Sequence, residues 1–140
     1  MKKLLNLSFL YFILAMAAGV FYREYTKFLG FTGKTTLAIA HTHLLVMGMF
    51  LFLLLALFAG QKKELLEEKR FGQFLKLYPA TLIFMVVMMI VRGILQVQNV
   101  ALTSAKNAMI SGIAGISHIL MVVSIVLLFG ALKNVFGKED

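Results

Sequence analysis

Residues 37–59 read LAIAHTHLLVMGMFLFLLLALFA, in which His41, Thr42 and His43 are the only polar side chains. An apolar run of this length has the ~20 residues that a helix needs to cross a hydrocarbon core. A polar group at that depth is costly, so an intramembrane histidine marks a functional site by default. Spacing adds a geometric limit. At about 100° per residue, positions two apart point to nearly opposite faces of a helix. One helix does not readily aim His41 and His43 at a single metal ion; the pair suits two sites, one on each side.

Three further stretches have the same character. Residues roughly 4–22, 37–60, 75–98 and 108–133 make four candidate spans, and none shows the period-two alternation of a membrane barrel. The chain is 61% hydrophobic and 14% charged, with a mean hydropathy of +0.91; a soluble domain carries about 25% charged residues. In 140 residues, four spans leave almost nothing for a soluble domain. The expected fold is all-α and integral to the membrane, a single four-helix transmembrane domain over residues 1–140.

The net charge of +8 is distributed in a way that argues against nucleic acid. Lys2, Lys3, Lys62, Lys63, Lys69, Arg70, Lys76, Lys133 and Lys138 fall on one side of a four-span arrangement, and Arg23, Lys27, Lys34 and Lys106 on the other. The asymmetry is that of the positive-inside rule, which predicts cytoplasmic termini and a cytoplasmic Gln61–Gln73 segment. There Glu64, Glu67 and Glu68 interleave with lysines, as in a short helical turn at the membrane surface. Lys2-Lys3, an apolar core and Ala15-Met16-Ala17 imitate a signal peptide, but the segment is expected to be a true span. The absence of cysteine excludes disulfides, thiolate-ligated haem, iron–sulfur clusters and C-x-x-C-H haem attachment. Zinc or copper would have to use histidine and methionine.

The expected helices differ in what they carry. The first has small residues, Ala15, Ala17, Ala18 and Gly19, which permit close helix approach in lipid. In the second, His41 and His43 lie about 6–10 Å below its start at 1.5 Å per residue. Gly48 is seven residues after His41 and leaves an open notch beneath it; Met47 and Phe50 follow His43 as a soft apolar wall. Either surface suits a porphyrin, and a Met/Phe stripe at this spacing also serves plain packing. The third has Pro79 near its cytoplasmic start and Arg92 near its outer end, with Gln96 a turn beyond and Met88 and Met85 on the same stripe. No acidic residue lies inside any span. Arg92 therefore either snorkels or takes a backbone group, a lipid phosphate or an anionic cofactor as partner. The fourth offers Ala108, Ser111, Gly112 and Gly115 as a small-residue groove above His118 and Met121. His118 is either a third ligand or a histidine bonded to a carbonyl on a neighbouring helix.

An imidazole-bearing, cation-rich outer half without carboxylates suits haem b. Its iron takes neutral imidazole, its ring lies between apolar helices, and its propionates need a cation such as Arg92. A bare divalent metal fits less well. Cu(I) stays open, because His43 and Met47 share a face and thioethers suit that ion. Proton pumping alone would need a carboxylate relay that the spans lack.

Ala40-His41-Thr42-His43-Leu44-Leu45-Val46-Met47-Gly48 resembles the histidine-bearing helices of haem-copper oxidase subunit I and of the NnrS family of haem- and copper-containing membrane proteins. That likeness covers about ten residues. Nearly all of the chain resembles a small four-span bacterial family of unknown function, most firmly at His41-Thr42-His43 and at Gly112-Ile113-Ala114-Gly115-Ile116-Ser117-His118. The oxidase subunit has twelve spans in three arcs of four, and one of its helices carries a His-x-His whose imidazoles bind two haems. The resemblance implies a homotrimer with haems between subunits, His41 on one haem and His43 on the next, and Arg92 beside a propionate. The oxidases' adjacent histidine pair, cross-linked tyrosine and channel carboxylates have no counterparts here, so a full oxygen-reducing site is not evident.

Pairing of His43 with His118 inside one subunit is the rival arrangement. Counted from a fourth helix starting at Ala108, His118 lies several ångströms deeper than His43. The expected function is a haem-b protein of the bacterial plasma membrane, with iron ligands among His41, His43 and His118. Two axial histidines imply electron transfer; one open position implies binding of oxygen or nitric oxide. The alternatives are a copper-handling protein using His43, Met47, His118 and Met88 or Met121, and a haemless structural or assembly subunit.

Overall fold

The computed structural model describes residues 1–137; Lys138, counted above among the cationic residues, lies outside the described residues. Among these, α1 (Lys2–Phe28), α2 (Leu37–Gln61), α3 (Lys69–Val97) and α4 (Ser104–Phe136) are each long and apolar enough to cross a membrane. The described residues form no strand. A short 3₁₀ turn, Lys63–Leu66, joins α2 to α3.

The helices outrun the apolar runs that announce them. α1 continues to Phe28, and α3 starts at Lys69 rather than at 75. Hydropathy marks only the part that prefers hydrocarbon, whereas backbone hydrogen bonding continues through the polar flanks until a cap ends it. Glu68 caps α3 by accepting from the Phe71 N–H at 2.9 Å, and Thr103 caps α4 by accepting from the Lys106 N–H at 3.3 Å. The early start of α3 shortens the expected surface segment to the 3₁₀ turn. It also leaves Pro79 inside the helix rather than at its start.

Neighbours in the chain are neighbours in space: α1 packs along α2, α2 along α3, and α3 along α4. Met1 lies near Gly60, with Sδ 3.6 Å from where a Cβ would sit. The Phe58 and Phe136 rings are 5.6 Å apart, and Lys62 Nζ donates to the Val135 carbonyl at 3.3 Å. The start of α1, the α2–α3 connection and the end of α4 therefore meet at one end of the bundle. The opposite end is called distal below.

The core is built on aromatic rings and hydroxyls. Tyr11 stacks on Phe52 with centroids 5.5 Å apart, and Phe52 meets Tyr78 edge-on at 5.8 Å. Tyr78 in turn lies 4.8 Å from Phe74. Each buried phenol donates to a carbonyl on another helix, as membrane depth demands of a polar group: Tyr11 to Pro79 at 2.9 Å and Tyr78 to Met47 at 2.8 Å. Ser8 does the same to Met49 at 2.8 Å.

Those last two acceptors lie in an irregular turn. Residues Leu44–Phe50 of α2 are π-helical, a conformation that appears mostly as single turns and often at functional sites. The buried residues Ala40, Leu44, Gly48 and Phe52 step by four. In a pure α-helix each such step overshoots by about 40°. The wider turn absorbs the overshoot and keeps the four on one face.

Candidate functional site

A cavity of about 360 Å³ opens between α3 and α4 towards the distal end. Its walls are Met85, Met88, Met89 and Arg92 from α3 and Ser111, Ala114, Gly115 and His118 from α4, with Thr36, the residue that precedes α2, closing it. Small residues on α4 make the space: nothing lies within 4 Å of where a Cβ on Gly112 or Gly115 would sit. The buried stripe of α4 begins only at Ser117, so its first half leaves room beside α3. Thr36 is held by its hydroxyl, which donates to the Met89 carbonyl at 2.7 Å. Of the expected site residues, the cavity unites Arg92 and His118.

The imidazole of His118 is oriented by its own helix. Nδ1 lies 2.9 Å from the Ala114 carbonyl, and a carbonyl oxygen only accepts, so Nδ1 carries the proton. Nε2 is then the atom with the free lone pair. The expected carbonyl partner is therefore real but belongs to α4 rather than to a neighbour, since residue i−4 lies directly within reach along a helix. His43 repeats the arrangement with Nδ1 3.1 Å from the Ile39 carbonyl. Metal-ligating histidines commonly donate their second ring N–H in this way, which fixes tautomer and ring direction.

Among the described residues, Arg92 takes its partners from side chains of α4. Its Nη2 donates to Ser111 Oγ at 2.7 Å and to Asn107 Oδ1 at 3.3 Å. Asn107 and Ser111 are four residues apart and so stack on one face of α4. Both are neutral, so they solvate the guanidinium without neutralising it. Among the described residues the ion pair formed is Arg23–Glu24, at 3.8 Å and largely exposed.

His41 lies on the other side of α2. Its ring packs on Gly19 of α1, with Cβ, Cγ and Cδ2 3.8–3.9 Å from where a Cβ would sit. Its Nδ1 is buried and has no hydrogen-bond partner among the described residues. The open notch expected at Gly48 is filled: a Cβ there would meet Cγ of Tyr11 at 2.5 Å. The glycine serves helix packing because an aromatic ring from α1 reaches the same level. Met47 is partly buried against the core, whereas Phe50 is 56% exposed, so the two residues expected beneath His43 have different surroundings. The π turn over Leu44–Phe50 alters the 100° counting that placed both below His43. Among the described residues no three His, Cys, Asp or Glu side chains come together.

Contacts across the bundle set the relative depth of His43 and His118. Gly93 abuts Leu37, so His43, six residues further along antiparallel α2, stands level with about Val87. Arg92 binds Ser111 and Asn107, so His118, seven to eleven residues further along α4, stands level with residues 81–85. Two to six residues of rise are about 3–9 Å, which leaves His118 the deeper of the two.

Sequence reasoning missed Thr36, Met89 and Asn107 as parts of this site, and Ser8 and Tyr78 as the pins of the π turn. Only the four-residue steps of Ala40, Leu44, Gly48 and Phe52 signalled that turn. No curated protein and no solved structure matches the chain. The family model that does match carries no statement of cofactor, and nothing in it connects the chain to haem-copper oxidases or to the NnrS family. It covers residues 1–135 and is described as "Protein of unknown function (DUF2871)"; the chain belongs to that family.

Proposed function

We propose that this is a multi-pass protein of the bacterial plasma membrane that binds haem b, with His118 as an iron ligand and Arg92 beside a propionate. One observation carries the reading. At the wall of an apolar, methionine-lined cavity, an imidazole has its Nδ1 proton committed to a backbone carbonyl and its Nε2 free. Haem iron takes such a nitrogen. Arg92 supports the reading as a cation held, among the described residues, by neutral oxygens, because an anionic group would complete its surroundings. When bound, haem supplies electron transfer or affinity for a diatomic gas; the protein supplies the ligand, the cation and a largely apolar groove.

The experiment is an optical spectrum of the protein purified from membranes and supplemented with hemin. A Soret band that is lost or strongly shifted in His118→Ala supports the assignment. A wild-type protein that retains no hemin overturns it.

Copper is a second reading, favoured by Met85, Met88, Met89 and His118 lining one cavity. Thioethers with one imidazole suit Cu(I). Replacing the three methionines by leucine keeps volume nearly constant and separates the two. Hemin binding survives that change, whereas Cu(I) binding does not.

A further inference from the structure

We infer that Arg92, Gln96 and Asn107 form an oxyanion site, which takes one phosphate or carboxylate group at the distal end of the bundle. The inference does not rest on the haem reading, although a propionate is one source of such a group. A second cavity, of about 110 Å³, shares Arg92 with the one that His118 lines. The rest of its wall is Gln96 and Asn107, with Leu95, Val100 and Leu102. Two hydrogen bonds fix which end of each amide is left over. Gln96 Oε1 accepts from the Thr36 N–H at 2.8 Å, and Asn107 Oδ1 accepts from Arg92 Nη2 at 3.3 Å. A backbone N–H and a guanidinium only donate, so neither amide can be turned round and each is left with its NH2 group.

Arg92 spends Nη2 on Ser111 and Asn107, which leaves the N–H groups of Nε and Nη1. The acceptors nearby are already engaged. The carbonyls that end α3 take the N–H groups of the following turn: Ile94 from Gln98, Leu95 from Val100 and Gln96 from Asn99, at 3.0–3.2 Å. Donors grouped around a guanidinium are the complement of an oxyanion, and bonds of that kind are among the stronger ones. Charge and depth agree. Arg23, Lys27, Lys34 and Lys106 lie towards the same end, where Glu24 is the acidic residue among the described ones and sits 3.8 Å from Arg23. Gln96 is the penultimate residue of α3, so the cavity stands where the apolar span gives way to the headgroup layer.

The test uses full-length protein in neutral detergent, and native mass spectrometry reads binding of phosphatidylglycerol against diacylglycerol with the same chains. Inorganic phosphate, and hemin against its dimethyl ester, are the two other probes. Gln96→Glu keeps the acceptor for Thr36, and Asn107→Asp keeps the acceptor for Arg92; each replaces an NH2 donor by negative charge. Both are expected to weaken the preferred oxyanion about tenfold or more, the scale of one charge-assisted hydrogen bond. Gln98→Glu makes the same charge change on a residue bonded to Tyr25 instead, and binds as wild type does. The thermal midpoint of ligand-free Asn107→Asp is no lower than that of wild type, so its loss of binding is not loss of fold. Preference for phosphatidylglycerol identifies a lipid phosphate as the ligand, binding of inorganic phosphate alone a free oxyanion, and tighter binding of hemin than of its ester a propionate. A wild-type protein that takes neither phosphate probe and does not distinguish hemin from its ester overturns the site, as do Gln96→Glu and Asn107→Asp proteins that behave like Gln98→Glu. Failure to take up hemin at all sinks the haem reading and leaves the two phosphate probes to decide this one.

Discussion

The ring of Tyr11 occupies the space that Gly48 leaves by having no side chain, with Cγ 2.5 Å from where a Cβ would be. Tyr11 cannot retreat, because its hydroxyl donates to the Pro79 carbonyl and its ring stacks on Phe52. One residue thus ties α1 to both α2 and α3.

Gly48→Ala is expected to destabilise the protein by about 1–3 kcal/mol, the usual cost of overpacking a tight core. A lower thermal midpoint in detergent is the measurement. Gly48→Ala combined with Tyr11→Leu recovers part of the loss relative to the sum of the single changes, since the clash partner is gone. Strict additivity would mean that the two residues do not meet.

Tyr78→Phe removes one hydroxyl from the Met47 carbonyl and leaves the ring cluster intact. Interhelical hydrogen bonds in membranes contribute about 0.6 kcal/mol on average, so the loss should be small. Ser8→Ala acts on the next exposed carbonyl of the same π turn, Met49. Denaturation in mixed micelles is expected to show a cost greater for the pair than for either single change, because the widened turn then loses both external donors.

Glu68 makes stability depend on pH at the termini-bearing end. Burial pushes its pKa up, but the Phe71 N–H, the Asn134 amide, the Arg70 N–H and the Arg70 charge outweigh that and hold it below the ordinary 4.5. A folded-state value below the unfolded one means that the cap's contribution is present above about pH 4.5 and lost as pH falls through the folded value. Glu68→Gln should be less stable than wild type at pH 7 and equal to it in acid. A gap that persists below pH 3 would show that the carboxylate charge is not what caps α3.

Arg92→Gln keeps a donor for Ser111 but removes the charge. Hemin affinity should fall about tenfold, the scale of one charge-assisted hydrogen bond, with band positions unchanged because Arg92 is not a ligand. Arg92→Lys should fall between the two. Equal affinity in all three proteins would leave the guanidinium without a role in cofactor binding.

Much of the architecture is legible in the chain because lipid enforces a simple rule: a spanning segment must satisfy its own backbone, so apolar length alone reveals α1 to α4. His43, His118 and Arg92 are equally visible, as polar groups set in apolar runs. Their grouping is not. Whether His118 meets Arg92 depends on how far α4 projects past α3, and no local signal encodes that offset. The filling of Gly48 was hidden for the same reason, since Tyr11 lies far away in sequence and arrives only when α1 docks.

Composition and spacing by themselves determined four apolar helices, a charge asymmetry between their ends and three histidines at depth, because these follow from hydropathy and helical period. Only the tertiary structure decided which histidine faces which neighbour, that a π turn resets the face below His43, and that Arg92 and His118 border one cavity. Side-chain hydroxyls and close helix contacts set those registers, and such contacts exist only between segments that the sequence keeps apart.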